Sequence, residues 1–171
     1  MYSSPSSDSW LRRQSKRAAR SLARRMRDFG QVDPAGFDLA DVPSADIALY
    51  FPDGPPKLYQ LTQWLPVFEG KNDVTTIVIV RQVDAFNALH GKTPLRVILV
   101  PRYEDLMALL DRANFGAVVY VNNGWTNFQA LSFQRAVHIH VNHGESDKIC
   151  MVSNQAKAYD KVFVAGQAAI E

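Results

Sequence analysis

Residues 137–148 read VHIHVNHGESDK and place one histidine, His143, where it could take part in proton transfer. Residues 137–141 alternate apolar side chains with histidine, as in a strand, and Asn142 and Gly144 then end the alternation. A side chain directly after an apolar strand is expected at the carboxyl edge of a sheet, where open α/β sheets bind ligands. Because imidazole gains and loses a proton near neutral pH, His143 is a candidate catalytic residue, with a purely structural ring as the alternative.

Five further residues are candidates for contact with a substrate. Gly144 allows a ligand to approach the backbone closely, and Glu145 and Ser146 could bind a ligand or orient the imidazole. Asn122 and Asn123 follow another apolar segment, so the same reasoning places them at the carboxyl edge of the sheet. Their amides could hydrogen-bond a polar ligand, or they could form an Asx turn.

The histidine spacing also suggests a metal site. His138, His140 and His143, with Asn142, form the pattern HxHxNH, one residue away from the HxHxDH zinc motif of metallo-β-lactamase-like hydrolases. Asparagine replaces the aspartate, and the only other histidine, His90, lies far upstream. We therefore predict no metal and interpret His138 and His140 as packed strand residues.

Nucleotide-binding loops of the common types are missing from the sequence. No GxGxxG follows the first apolar segment, and GxxxxGK[ST] occurs nowhere, so we predict no bound cofactor. The first apolar segment ends instead in Asp53-Gly54, which we interpret as a turn.

Apolar segments alternate with amphipathic segments from residue 45 onward. The predicted strands are residues 47–51, 75–81, 95–100, 117–121, 136–141 and 161–164, and the predicted helices are 58–68, 83–90, 103–114, 128–133 and 154–159. Several strands are almost wholly apolar, which is typical of a parallel sheet covered on both faces. The alternation predicts an α/β fold with a Rossmann-like, doubly wound, mainly parallel sheet. Gly91 and Gly116 are expected at helix ends, and Pro66 should kink or end its helix.

The basic character of the chain is concentrated in residues 1–30, which hold eight basic and two acidic residues. A basic helix is predicted there, followed by a linker over residues 31–44 and the domain over 45–171. Trp10 and a thin apolar stripe favour contact with an anionic membrane surface, although a solvated surface helix fits equally well. Nucleic-acid binding is less favoured, because the rest of the chain is acidic. The residues predicted to contact the membrane are Arg12, Arg13, Lys16, Arg17, Arg20 and Arg24.

Two segments near the end of the chain resemble a known family. NHGESDK resembles the His-Gly motif of CDP-glycerol glycerophosphotransferases, the teichoic-acid polymerases, and SNQAKAYDKVFVAGQAAIE is similar to the strand and helix that follow it there. The resemblance is strongest over residues 137–171. Glu145 and Ser146 depart from the family's commoner Thr-Pro.

The resemblance implies a two-domain GT-B enzyme of which this chain is the N-terminal, acceptor-side half. His143 would then be the general base on the hydroxyl of a lipid-linked acceptor, and an absent C-terminal domain would bind the CDP-glycerol. The family implies a peripheral location at the cytoplasmic face of the membrane, and the single Cys150 fits a reducing compartment. This half alone is expected to show no turnover. A GT-B transferase that uses a nucleotide sugar and a non-catalytic Rossmann-like binding module are the alternatives.

Overall fold

The computed structural model describes residues 40, 42, 44–71, 73–143 and 154–164, all within one unit of the chain, residues 37–171. The basic segment of residues 1–30, with the helix predicted from Ser9 to about Asp28, and most of the predicted linker lie outside the described residues. The same is true of Gly144, Glu145 and Ser146.

Six strands form one sheet in the described part of the chain. They are β1 (Ile47–Phe51), β2 (Thr76–Val80), β3 (Arg96–Leu99), β4 (Ala117–Tyr120), β5 (Val137–His140) and β6 (Lys161–Val162). All of them pair in parallel, in the order β3-β2-β1-β4-β5-β6. The winding reverses between β1 and β4, since β1 leads to one side of the sheet and β4 to the other. This arrangement confirms the predicted Rossmann-like, doubly wound fold.

Short helices connect the strands. They are α1 (Tyr59–Thr62), α2 (Leu65–Glu69), α3 (Val83–Leu89), α4 (Tyr103–Ala113) and α5 (Phe128–Leu131), with 3₁₀ turns at Pro55–Lys57, Trp125–Asn127 and Asn154–Ala158. None of the helices within the described ranges has the length and apolar character needed to cross a bilayer.

Apolar side chains fill a layer on each face of the sheet. All five residues of β2, TIVIV, are buried, because its alternate side chains enter opposite layers. One layer joins the sheet to α4, through Leu106 and Leu109, and the other joins it to α1 and α3, through Leu61 and Ala85. Each fully buried Leu, Ile or Val contributes about 1.5–3 kcal/mol, so these two layers hold the strand ends rigidly in place.

Two details of the helices bear on the predictions. The segment predicted as one helix over 58–68 is two helices, because Pro66 has no N–H to bond the carbonyl of Thr62, where α1 ends. Gly91 has a φ of +74° directly after α3 and its cap, as predicted. The prediction for Gly116 is wrong: Asn114 ends α4 instead, with a left-handed φ of 51° that an asparagine tolerates.

Candidate functional site

Polar side chains from three loops meet at the carboxyl edge of the sheet. Asp53 lies two residues after β1, Asn122 two residues after β4, and His143 three residues after β5. β1 and β4 are neighbours at the point where the strand order reverses, which is where doubly wound sheets bind their ligands. The predicted position of His143 and Asn122 at this edge is therefore confirmed.

These three side chains and Gln60, which lies in α1, form a continuous line of hydrogen bonds that we call the edge network. The Asn122 Nδ2 donates to Asp53 Oδ2 at 2.8 Å and to Gln60 Oε1 at 3.0 Å. Gln60 Nε2 lies 3.1 Å from His143 Nε2. On the far side of the ring, His143 Nδ1 lies 3.0 Å from the carbonyl oxygen of Val121.

The backbone carbonyl fixes the tautomer of His143. Since the Val121 oxygen can only accept, His143 Nδ1 carries a hydrogen and donates it. The other ring nitrogen, Nε2, then holds the lone pair and accepts a hydrogen bond from the amide of Gln60. In this arrangement Nε2 faces the Gln60 amide, and a hydroxyl can reach that nitrogen only by replacing the amide.

The backbone around His143 is held from two sides. Asn142 has a left-handed φ of 62°, and its Oδ1 accepts a hydrogen bond from the backbone N–H of His143 at 2.8 Å. The indole of Trp64, which lies between α1 and α2, donates to the carbonyl of Asn142 at 2.5 Å. The ring of Tyr59 contacts His143 edge-on, with 6.2 Å between the ring centroids. With these contacts, His143 is half-buried.

The two amides of the edge network are less accessible. Gln60 and Asn122 are 7% and 6% exposed, while the side chain of Asp53 is 21% exposed and also binds Lys57 at 3.1 Å. Buried amides must satisfy their hydrogen bonds within the protein, so their orientations are set by their neighbours and not by water.

Hydrogen bonds hold the loop after β4 in place, and the loop leads to an exposed aromatic pair. Asn127 Nδ2 donates to the Asn122 carbonyl at 2.6 Å, and the Arg81 guanidinium donates to Gln129 at 2.6 Å. Trp125 is 77% exposed and packs on Phe128, with 5.6 Å between the ring centroids. The loop that begins with Asn122 therefore also presents exposed aromatic side chains.

The second predicted asparagine is placed differently. Asn123 Oδ1 accepts a hydrogen bond from the Tyr159 hydroxyl at 3.3 Å, and Asn127 donates to the same hydroxyl at 2.8 Å. Burial raises the pKa of Tyr159, so it remains a neutral donor. Asn123 is thus hydrogen-bonded to Tyr159 in one core layer, whereas Asn122 is connected through Gln60 to His143.

The remaining histidines of β5 are core residues. His138 Nδ1 lies 2.8 Å from the Tyr120 hydroxyl, and its Nε2 donates to the Phe133 carbonyl. His140 is 3% exposed and stacks on Tyr159 with 5.0 Å between the ring centroids. Neither ring nitrogen of His140 has a partner in the described part of the chain, and burial, with a smaller electrostatic effect of the neighbouring His143, lowers its pKa to about 4.

Asp53 and Gln60 are the site residues that the sequence analysis missed. Asp53 was interpreted as a turn residue, yet its two carboxylate oxygens contact Asn122 and Lys57. The position of Asp53 just after the first strand could have identified it as a site residue. Gln60 could not be identified in this way, because its sequence context is that of an ordinary polar residue in a helix. Groups of three or more metal-binding side chains do not occur among the described residues. No protein-family model, curated protein or solved structure matches the chain.

Proposed function

We propose that this chain is the acceptor-side domain of a transferase of cell-envelope polymers, similar to the CDP-glycerol glycerophosphotransferases, with His143 as the general base. One observation carries the proposal. The Val121 carbonyl accepts from His143 Nδ1, which leaves Nε2, now facing the Gln60 amide, as the ring nitrogen that can take a proton, at the edge of the sheet where such folds bind substrates. The NHGESDK motif, on which the resemblance to that family rests, contains this same histidine.

The proposed reaction needs one proton acceptor on this domain. A hydroxyl of the lipid-linked acceptor replaces the Gln60 amide at His143 Nε2 and gives its proton to that nitrogen. The hydroxyl oxygen bonds to the phosphorus that carries the glycerol of CDP-glycerol, and the bond from this phosphorus to the bridging oxygen breaks. CMP leaves with that electron pair. The Nδ1–H bond to Val121 keeps the ring in place while it is an imidazolium.

The substrate contacts proposed for this domain are Asn122, Asn123, Gly144, Glu145 and Ser146. A separate donor domain would hold the nucleotide, because phosphoryl transfer requires donor and acceptor in line. The basic residues of segment 1–30 would hold the enzyme at the anionic, cytoplasmic face of the membrane, close to its lipid-linked acceptor.

The test is the release of CMP by the full-length protein supplied with CDP-glycerol and a lipid-linked acceptor. His143→Ala should lower kcat by roughly 10²–10⁴-fold, the usual contribution of a general base, without a matching loss of fold stability. His90→Ala is the matched control, since His90 is exposed and stacks only on Phe86 at 4.7 Å in the described ring contacts. Turnover within twofold of the wild type in His143→Ala would reject the general-base role.

Two alternatives make different predictions in the same assay. A GT-B transferase that uses nucleotide sugars would consume a sugar donor and not CDP-glycerol, with the same loss in His143→Ala. A non-catalytic binding module is favoured by one observation, that Gln60 already occupies His143 Nε2. Such a module would turn over neither donor.

A further inference from the structure

We infer that Asp53 is a positioning residue that keeps His143 neutral, by fixing through Asn122 and Gln60 which end of the Gln60 amide faces the ring. The inference rests on the proposed function for its catalytic meaning, because a base must be unprotonated before it acts. The protonation of the His143 ring can be measured directly, without an assay of turnover.

The direction of each hydrogen bond follows from the carboxylate. Asp53 Oδ2 can only accept, so the Asn122 amide must turn its NH₂ group toward it. The same NH₂ group also reaches Gln60, which must therefore present its oxygen to Asn122. Gln60 is left with its NH₂ group facing His143 Nε2, and only an unprotonated nitrogen can accept from it.

The opposite orientation of Gln60 would favour a charged ring. With the Gln60 oxygen facing Nε2, the ring would donate from both nitrogens, to Val121 and to Gln60, and would be an imidazolium. A nearby carboxylate ordinarily favours a protonated histidine. Here two intervening amides reverse the sign of that effect, because they convert an acceptor at Asp53 into a donor at His143.

The surroundings make the orientation of the amides depend on Asp53. Gln60 and Asn122 are buried, and the Asp53–Lys57 ion pair is exposed and contributes little. Among the described residues, Tyr59 contacts the ring edge-on, its hydroxyl also accepts a hydrogen bond from Gln60 Nε2 at 3.3 Å, and His140 interacts with the ring electrostatically. A tyrosine hydroxyl can donate as well as accept, so the Tyr59 contact does not by itself fix the orientation of Gln60. Neither lies between Asp53 and His143 in the edge network.

Two substitutions at Asp53 separate its charge from its role as an acceptor. Asp53→Asn and Asp53→Ala both remove the charge, but asparagine can still accept from Asn122. The full chain, with ¹⁵N-labelled histidine, is studied at pH 7 by long-range ¹H–¹⁵N spectra, with the His143 signals assigned by their loss in His143→Ala. Wild type and Asp53→Asn should show a lone pair on Nε2, and Asp53→Ala should move the Nε2 signal toward the protonated range.

Gln60→Glu provides a second, isosteric variant that decides the matter if Asp53→Ala does not fold. A glutamate at this position can only accept, so both nitrogens of His143 should be protonated. Gln63→Glu makes the same change at an exposed position at the end of α1 and should leave the ring neutral. Identical spectra for the two Asp53 variants, a neutral ring in Gln60→Glu, or an equal response to Gln63→Glu would each overturn the inference.

Discussion

Asn142 determines how the chain leaves β5 and presents His143. Its left-handed φ of 62° is costly for most side chains, by roughly 1–2 kcal/mol, but asparagine and glycine adopt it readily. We expect Asn142→Ala to lower the free energy of unfolding by about that amount in urea denaturation. Asn142→Gly should cost less, since it keeps the backbone conformation and loses only the bond to the His143 N–H. Equal losses in the two variants would show that the lost side-chain bond, and not the backbone conformation, accounts for the change.

The positions of single residues could be predicted where the distance from the end of a strand determines their environment. His143 and Asn122 follow apolar strands, and this was sufficient to place both at the carboxyl edge. Gln60 could not be predicted, because a buried glutamine and a solvated one look alike in a short helix. Its role depends on Asn122, 62 residues away, and on His143, 83 residues away.

At the scale of the element, β5 contains a buried histidine that should make the fold sensitive to acid. His140 has a pKa of about 4 in the folded chain, against 6.5 for an ordinary histidine. Between these values the unfolded chain binds a proton that the folded chain does not. The contribution of neutral His140 to the free energy of unfolding is therefore complete above pH 6.5. It is lost as the pH falls toward 4, by at most about 1.4 kcal/mol per pH unit.

His140→Phe should remove this dependence. Phenylalanine can stack on Tyr159 as the imidazole does, and it leaves no unpartnered ring nitrogen. The difference in unfolding free energy between pH 7 and pH 5, from urea denaturation, should be smaller in this variant than in the wild type. His90→Phe, at an exposed position, should leave the difference unchanged. Equal pH dependence in His140→Phe and the wild type would show that His140 binds its proton equally well in the folded and the unfolded chain.

The elements were predicted where the physical cause is local. β1 was predicted to the residue and β2 lies inside its predicted range, because their apolar pattern follows from burial on both faces. β5 also lies inside its predicted range, although its alternating pattern goes with burial mainly of His138 and His140. The break between α1 and α2 follows from the missing N–H of Pro66, but its position is also set by Trp64, which packs back toward Asn142. That second cause lies in the tertiary structure, so the sequence pattern alone predicted only that Pro66 would kink or end the helix.

At the scale of the whole molecule, the order of the strands creates the site. Asp53 and Asn122 are 69 residues apart and meet only because β1 pairs with β4. The alternation of strands and helices predicts a parallel sheet but does not specify which strands are neighbours. This is why Asp53 could be interpreted as a turn from the sequence, although the fold class itself was predicted correctly.

The distribution of charge along the whole chain leads to a prediction about the membrane. Residues 1–30 carry a net charge of +6 and the remaining residues a net charge of −4. An anionic surface should therefore attract the first segment and repel the rest, and each basic residue near such a surface contributes about 1 kcal/mol. The attraction should weaken with salt, since the screening length falls from about 10 Å at 0.1 M to about 3 Å at 1 M.

The measurement is co-sedimentation of the chain with vesicles that contain phosphatidylserine, at low and high salt. Deletion of residues 1–30 should abolish binding and leave the domain folded, as judged by an unchanged urea midpoint. Replacing Arg12, Arg13, Lys16, Arg17, Arg20 and Arg24 by glutamine keeps the length and the apolar stripe and lowers the net charge of the segment from +6 to zero, since Arg25 and Arg27 then balance Asp8 and Asp28. Binding that survives this change would not depend on a net positive charge. The loss of binding in both variants would assign it to these cations. Equal binding with and without residues 1–30 would mean that the segment has no membrane role, and that any association comes from the acidic domain against its own charge.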